Sequence, residues 1–272
     1  MTHPRPSRRH RLHVAIIAGA LLLAGTLALG SPPGRAEVFA GPGVRASFRG
    51  WLTPQALPRT QTAPVALHMA GALQAIEDRE PPELERVTIS INHEGRLSTV
   101  GLPLCRFASI RASTTKQALA ACRPALIGAG RFTAHIAIPS EAPFPARGKV
   151  VAFNSTLHGR PVILAQVYGT EPVPTSRILV MSILRRREGA FGTRLSVRMP
   201  NVAVDWGYAT GFRLTLHRTY SYAGKRRSLI SAGCPAPRGF GAASFLAAEG
   251  TYFLADGRRI TRFLSGRCTV AR

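Results

Sequence analysis

Residues 84–93 read LERVTISINH, and residues 211–222 read GFRLTLHRTYSY. In both stretches apolar side chains alternate with polar ones, which is the period of a β-strand with one buried face. Similar runs recur from Val44 onward, separated by turn residues such as Gly159 and Asp256-Gly257. The alternation predicts an all-β protein, an antiparallel β-sandwich built as one large sandwich or as two abutting ones.

One segment after the N-terminal region favours a helix. Residues 113–122 read STTKQALAAC, with a hydroxyl side chain at the start and Pro124 beyond the end. We therefore predict one short helix near 114–122. The first four residues also match S-x-x-K, the nucleophile motif of penicillin-binding proteins. The companion motifs of that chemistry are missing, so we interpret Ser113 as a helix cap and Lys116 as a surface residue.

The N-terminus has the pattern of an export signal. Arginines at 5, 8, 9 and 11 precede an apolar run over residues 14–29, which is shorter than the roughly 20 residues of a spanning helix. We predict a signal helix within a signal peptide over 1–36, cleaved after Ala36, with an uncleaved anchor as the alternative. Arg11 stands where a twin-arginine signal usually has an apolar residue, so the general secretory route is favoured.

Residues 37–272 are predicted to form a single exported β-rich domain. A proline-rich connection, SEAPFPARG at 140–148, coincides with a change in charge along the chain. If the domain is divided, we expect the subdomain boundary near residue 145. The protein would be secreted or associated with the cell envelope, and it would touch the membrane only through an uncleaved signal segment.

The four cysteines are predicted to form disulfides, because an even number in an exported chain favours pairing. They are Cys105, Cys122, Cys234 and Cys268. Of the three pairings that four cysteines allow, we favour 105 with 122 and 234 with 268, since these close the two shortest loops. No C-x-x-C pair and no histidine pair at ligand spacing occurs, so neither a metal nor another cofactor is predicted.

The chain is strongly basic. Residues 37–272 contain 31 Lys and Arg against 13 Asp and Glu, and 20 of the basic residues lie after residue 140. Such a field attracts polyanions, and we expect anionic envelope polymers or lipid head groups as partners. The candidate anion-binding residues flank two predicted hairpin turns: Arg185, Arg186, Arg187, Lys225, Arg226 and Arg227. The alternatives are charged hairpin ends that keep the protein soluble and an arginine-rich genome.

Catalytic patterns are weak. Acidic residues are sparse in the basic half, and the histidines are scattered singly along the chain. One segment, Asp205-Trp206-Gly207-Tyr208, places an acid beside aromatic side chains in a predicted loop, so Asp205, Trp206 and Tyr208 form a candidate loop site. We predict no catalytic residue. Nucleic acid is not an expected partner, since no aromatic RNA-binding motif is present and the chain is predicted to be exported.

Several short motifs are distributed over the mature chain: GWLTP at 50–54 with LPR at 57–59, GLPLC at 101–105, QALAAC at 117–122, APFP at 142–145, VAFN at 151–154 and CP at 234–235. Together they resemble a group of exported β-rich proteins from high-GC Gram-positive bacteria. No activity is assigned to that group, so the resemblance implies an exported location and paired cysteines without a catalytic residue.

The sequence thus predicts an exported, non-catalytic binding or structural module of the envelope or extracellular space, which contacts anionic polymers through its basic C-terminal half. The alternative is a secreted hydrolase acting on an envelope polymer, with active-site residues from distant strands.

Overall fold

The structure is a computed structural model that describes residues 37–41, 43–76, 83–136, 144–170, 174–199 and 207–271. For residues 37–41 and Arg186 it describes the backbone alone. The predicted signal peptide lies outside the described residues, as do Asp205 and Trp206 of the candidate loop site.

Strands account for most of the described chain. In chain order they are β1 (Glu37–Gly41), β2 (Val44–Thr53), β3 (Ala56–Leu57), β4 (Ala63–Pro64), β5 (Ala66–Ala75), β6 (Leu84–Asn92), β7 (Gly95–Leu97), β8 (Leu126–Ile136), β9 (Phe144–Leu157), β10 (Arg160–Gly169), β11 (Thr175–Glu188), β12 (Phe191–Arg198), β13 (Gly207–Leu216), β14 (Thr219–Tyr222), β15 (Lys225–Ser228), β16 (Ile230–Ala232), β17 (Ala242–Leu254) and β18 (Arg259–Val270). The helices are α1 (Phe107–Ile110) and α2 (Thr115–Cys122), and a 3-10 helix covers Arg123–Ala125.

Most of the strands belong to one 13-stranded sheet. Its order is β1-β2-β5-β13-β8-β9-β10-β11-β12-β6-β17-β18-β3. All neighbours are antiparallel apart from the short parallel contact between β18 and β3. Two small sheets, β14-β15 and β4-β16-β7, complete the fold. The all-β antiparallel class is therefore confirmed.

The large sheet curls so that its two ends face each other. Phe48 of β2 is fully buried, and a Cβ on Gly250 of β17 would lie 2.8 Å from its ring. The hydroxyl of Tyr252 donates a hydrogen bond of 2.8 Å to the backbone carbonyl of Ser47. Opposite parts of one continuous sheet thus provide the two packed layers.

Strands β9 and β10 are buried on both faces. Residues 150–155 are all buried. Val150 and Ala152 point into the main core, whereas Val151 and Phe153 face residues 102–125, which contain α1 and α2 and which we call the helical segment. This burial explains the nearly continuous apolar sequence, VVAF, which departs from strict alternation. Pro145, near which a subdomain boundary was expected, lies inside β9 and pairs with His135 of β8.

The helical segment is attached to the outer face of these strands by buried polar groups. Asn154 donates to the carbonyls of Leu102 and Pro103, at 3.3 and 3.0 Å. Gln166 donates to the carbonyl of Ser113 at 2.7 Å. Because an unpaired buried N–H group is costly, these donated hydrogen bonds hold the segment in place, while the side-chain oxygens of Asn154 and Gln166 are buried without a hydrogen-bond partner among the described residues.

Helix α2 begins with a capping box. The hydroxyl of Thr114 accepts from the backbone N–H of Gln117, and the Gln117 side chain accepts from the N–H of Thr114. The short helix predicted near 114–122 is confirmed, although the cap is Thr114 rather than Ser113. The hydroxyl of Ser113 instead donates to the carbonyl of Ile110 at 2.7 Å.

Both predicted disulfides are confirmed. Cys105 and Cys122 are bonded and hold α2 against the segment before α1. Cys234 and Cys268 are bonded and join the chain after β16 to β18.

Candidate functional site

The inner face of the curled sheet surrounds a cavity of about 490 Å³. This volume lies within the range of small-molecule sites in proteins, roughly 300–1,000 Å³. Its wall combines residues from nine strands, namely the consecutive strands β8 to β13 together with β5, β6 and β17. The cavity is therefore a product of the curl, and no single strand indicates it.

The wall is almost entirely apolar. Large side chains come from facing parts of the sheet, and examples are Met69, Leu84, Ile89, Leu179, Met181 and Leu214. Small residues, among them Ala165 of β10, keep the space open between them. Such a surface favours an apolar ligand, since each buried methylene contributes about 0.8 kcal/mol.

Glycine at position 71 allows the wall to close on one side. A Cβ there would lie 2.5 Å from the hydroxyl oxygen of Tyr252 and 2.6 Å from the ring of Phe212. Both of these aromatic side chains line the cavity. An alanine at this position would have to displace both of them, so the glycine sets the distance between β5 and its neighbours.

Tyr252 is a polar group within this apolar wall. Its side chain is 2% exposed, and burial raises the pKa of Tyr252 while the nearby Arg262 guanidinium opposes the rise. The phenol therefore stays protonated and serves as a hydrogen-bond donor to Ser47. It contributes to closing the sheet and leaves the cavity without a charge at that position.

Polar residues gather at one end of the cavity, where β8 and β13 meet. The Nδ1 atom of His135 lies 3.0 Å from the hydroxyl oxygen of Tyr208, and their rings are 5.4 Å apart. Tyr208 is the described member of the predicted loop site, and it lies on β13, paired with His135. The sequence analysis predicted a loop here because the alternation indicated a strand only from Gly211 onward, whereas the strand begins at Gly207.

A positively charged side chain, Arg177, lies at the same end of the cavity. Arg177 of β11 pairs with Val167, which lines the cavity. Because side chains two residues apart lie on the same face of a strand, Arg177 shares the inner face of the sheet with Leu179 and Met181. Its side chain is exposed, whereas Met181, four residues further along the strand, is buried. Along β11 the wall thus changes from a charged rim to an apolar interior.

The two predicted basic clusters lie outside the cavity, on hairpins that contact the same segment. Arg185 donates to the carbonyl of Leu97 at 3.2 Å, and Tyr220, beside the second cluster, donates to the carbonyl of Val100 at 2.7 Å. Arg227 lies over the ring of Tyr222, 5.5 Å from its centroid. Binding of anions by these clusters remains a prediction.

The residues weighed for catalysis are not brought together in the described part of the chain. Glu249 of β17 pairs with Ser90 and is not among the residues that line the cavity. Lys116 is exposed at the start of α2, and Ser113 is buried.

Among the described residues, no group of three His, Cys, Asp or Glu side chains is arranged to hold a metal ion. In that same part of the chain no helix has the length and hydropathy to cross a membrane.

No family model matches this sequence, and neither a curated protein nor a solved structure matches it significantly. The resemblance to exported proteins of high-GC bacteria is not tested by these comparisons and stays a prediction.

Proposed function

We propose that the protein is an exported, non-catalytic binding protein that holds a single-chain amphiphile, with its apolar chain inside the curled sheet. The observation that carries the proposal is the cavity of about 490 Å³ with an almost wholly apolar wall. Arg177 lies at the rim and already interacts within the chain. We infer that an anionic head group would share or replace that interaction, since guanidinium and carboxylate groups form strong charge-assisted hydrogen bonds.

Export is part of the proposal. It is supported by the predicted signal peptide and by the two disulfides, which form and persist mainly in oxidising compartments. A carrier in that compartment would shield an apolar chain from water while the molecule passes between a membrane and its next acceptor.

A chain-length series tests the ligand class. We expect calorimetric titration with fatty acids from octanoate to hexadecanoate to show affinity rising about fourfold for each added methylene, followed by a plateau when the cavity is full. Affinity that is independent of chain length would contradict an interior site.

Variants that fill the cavity test its location. Ala165→Phe adds a ring to the inner wall, and Ala134→Phe adds one nearer the rim, where a half-buried position tolerates it better. We expect either folded variant to lose hexadecanoate binding by more than about tenfold. Ala129→Phe is the matched control, because Ala129 is exposed on β8. Undiminished binding in both cavity variants would overturn the proposal.

The head-group contact has its own test. Arg177→Gln should weaken binding of hexadecanoate about tenfold and leave binding of hexadecanol unchanged. Arg198→Gln is the control, because Arg198 is an exposed arginine at the same end of the sheet that does not line the cavity. Equal losses for acid and alcohol would show that Arg177 has no role in recognising charge.

A further inference from the structure

The outer face of the curled sheet carries a row of cations that the strand register aligns. Arg49 and Arg213 both pair with Ala70 of β5, Arg213 pairs with Arg131, and Arg131 pairs with Lys149. We call Arg49, Arg213, Arg131 and Lys149 the basic row. It crosses β2, β5, β13, β8 and β9, so it extends over about 19 Å at the usual spacing of strands.

Each side chain of the basic row is exposed. Their neighbours in the sequence point the other way: Phe48, Leu214 and Val150 are buried in the main core. Because side chains alternate between the two faces of a strand, the four cations share the outer face of the sheet, although Arg213 is also among the residues that line the cavity. Arg49, Arg131 and Lys149 do not line it, so these three cations are separate from the proposed amphiphile site.

This arrangement is unfavourable for stability. Like charges directly opposite each other on neighbouring strands repel, and the row contains two such pairs, Arg213 with Arg131 and Arg131 with Lys149. None of the five strands contains Asp or Glu. The ion pairs of the described residues include His93–Glu94, Arg194–Glu188 and Arg258–Asp256, and none of these three involves a member of the basic row. An external anion would relieve the repulsion.

The shape of the row favours a linear ligand. It follows the convex outer surface of a curled sheet, where a flat membrane would touch only a few of the cations at once. A flexible chain with regularly spaced negative charges can follow the curve and meet each cation in turn. We propose that the basic row binds a linear polymer that carries a phosphate in each repeat unit, of the kind found outside cells as anionic envelope polymer.

The basic row and the predicted hairpin clusters consist of different residues, and they differ in their contacts with the rest of the protein. Two of its members, Arg49 and Arg131, come from the first half of the mature chain, where the sequence shows little excess charge. The hairpin cations are partly engaged with the protein itself, since Arg185 donates to Leu97 and Arg227 lies over Tyr222. The row is thus a second and independent candidate for the anionic partner.

Long-chain inorganic polyphosphate is the probe for this surface. Trp51 of β2 lies two residues from Arg49 and is 38% exposed, so its fluorescence can report binding once Trp206→Phe removes the second tryptophan. We expect saturable binding that weakens by more than about tenfold between 50 and 200 mM NaCl, as counterion release requires.

Charge-matched double variants test the location. Arg131→Gln with Lys149→Gln should weaken polyphosphate binding at least about tenfold, whereas Lys225→Gln with Arg226→Gln should change it less than about twofold. Both pairs lower the net charge equally, so the difference isolates the position of the cations. Equal losses would show that binding follows the overall charge, and a larger loss in the hairpin variant would assign the site to the predicted cluster. Either result overturns the proposal.

Two further measurements complete the test. Removing the repulsion should leave the melting temperature of the Arg131→Gln, Lys149→Gln variant unchanged or higher. A lower melting temperature would contradict the argument from like charges. Binding to phosphatidylglycerol vesicles without binding to polyphosphate would identify a membrane as the partner and would also overturn the proposal. Ala165→Phe should bind polyphosphate normally, so failure of the cavity proposal and failure of this one are distinguishable.

Discussion

The hydroxyl of Tyr252 and the backbone carbonyl of Ser47, which are 205 residues apart in the chain, form a hydrogen bond of 2.8 Å between the two ends of the curled sheet. The bond joins β17 to β2 next to the contact between Gly250 and Phe48. Together these contacts keep one end of the sheet packed over the other, and the cavity lies beside them.

Tyr252→Phe removes this bond and keeps the ring. We expect the free energy of unfolding to fall by about 1 kcal/mol, the usual net contribution of an intramolecular hydrogen bond, which equilibrium unfolding in urea measures. Tyr222→Phe is the matched control, because the Tyr222 side chain is 43% exposed. Equal stability of wild type and Tyr252→Phe would show that the ring alone holds the two strands together.

The strands were predictable because alternation is a local property. The runs containing Val87 and Leu214 each became strands, with the apolar set buried. The disulfides were predictable for a related reason, since Cys105 and Cys122 are separated by 17 residues. Short loops are the least costly to close, so sequence distance was informative for both pairs.

The cavity and the basic row depend on long-range pairing, which no local pattern encodes. Strand β13 inserts between β5 and β8, and only this pairing places Arg213 opposite Arg131. A shift of one residue in register would move either side chain to the other face. The sequence therefore directed attention to consecutive basic residues such as Arg185, Arg186 and Arg187, whereas the row is formed by cations spread from residue 49 to residue 213.

The two disulfides should stabilise the fold to different extents. In the chain-entropy description, a cross-link over 17 residues contributes about 3 kcal/mol and one over 34 residues about 4 kcal/mol. We expect the double serine variant of Cys234 and Cys268 to lose more stability in urea than that of Cys105 and Cys122.

Alkylation of the purified protein before and after reduction provides the control for that comparison. All four cysteines should react only after reduction, because none is free in the described chain. Thiols that react beforehand would contradict the pairing, and a larger loss for the 105–122 variant would show that packing of the helical segment outweighs loop length.

His68 should make stability depend on pH. Its ring stacks on Trp51 at 4.8 Å, Nε2 lies 3.2 Å from the Thr53 hydroxyl, and Nδ1 lies 3.1 Å from the Thr215 hydroxyl. Burial lowers the pKa of His68, and the charge of His217 lowers it further. Below the unfolded pKa of about 6.5 the unfolded chain takes up a proton that the folded chain resists. Stability from this group is therefore complete above that pH and is lost as the pH falls toward the folded pKa.

We expect the wild type to lose more free energy of unfolding between pH 7.5 and pH 5.5 than His68→Gln, whose amide can hydrogen-bond but does not titrate. Urea unfolding at the two pH values measures the difference. His158→Gln serves as the matched substitution, because His158 is exposed in the turn between β9 and β10, away from the Trp51–His68 stack. If His68→Gln keeps the full loss of stability at low pH, the proton is taken up elsewhere, and the Trp51–His68 stack does not resist protonation.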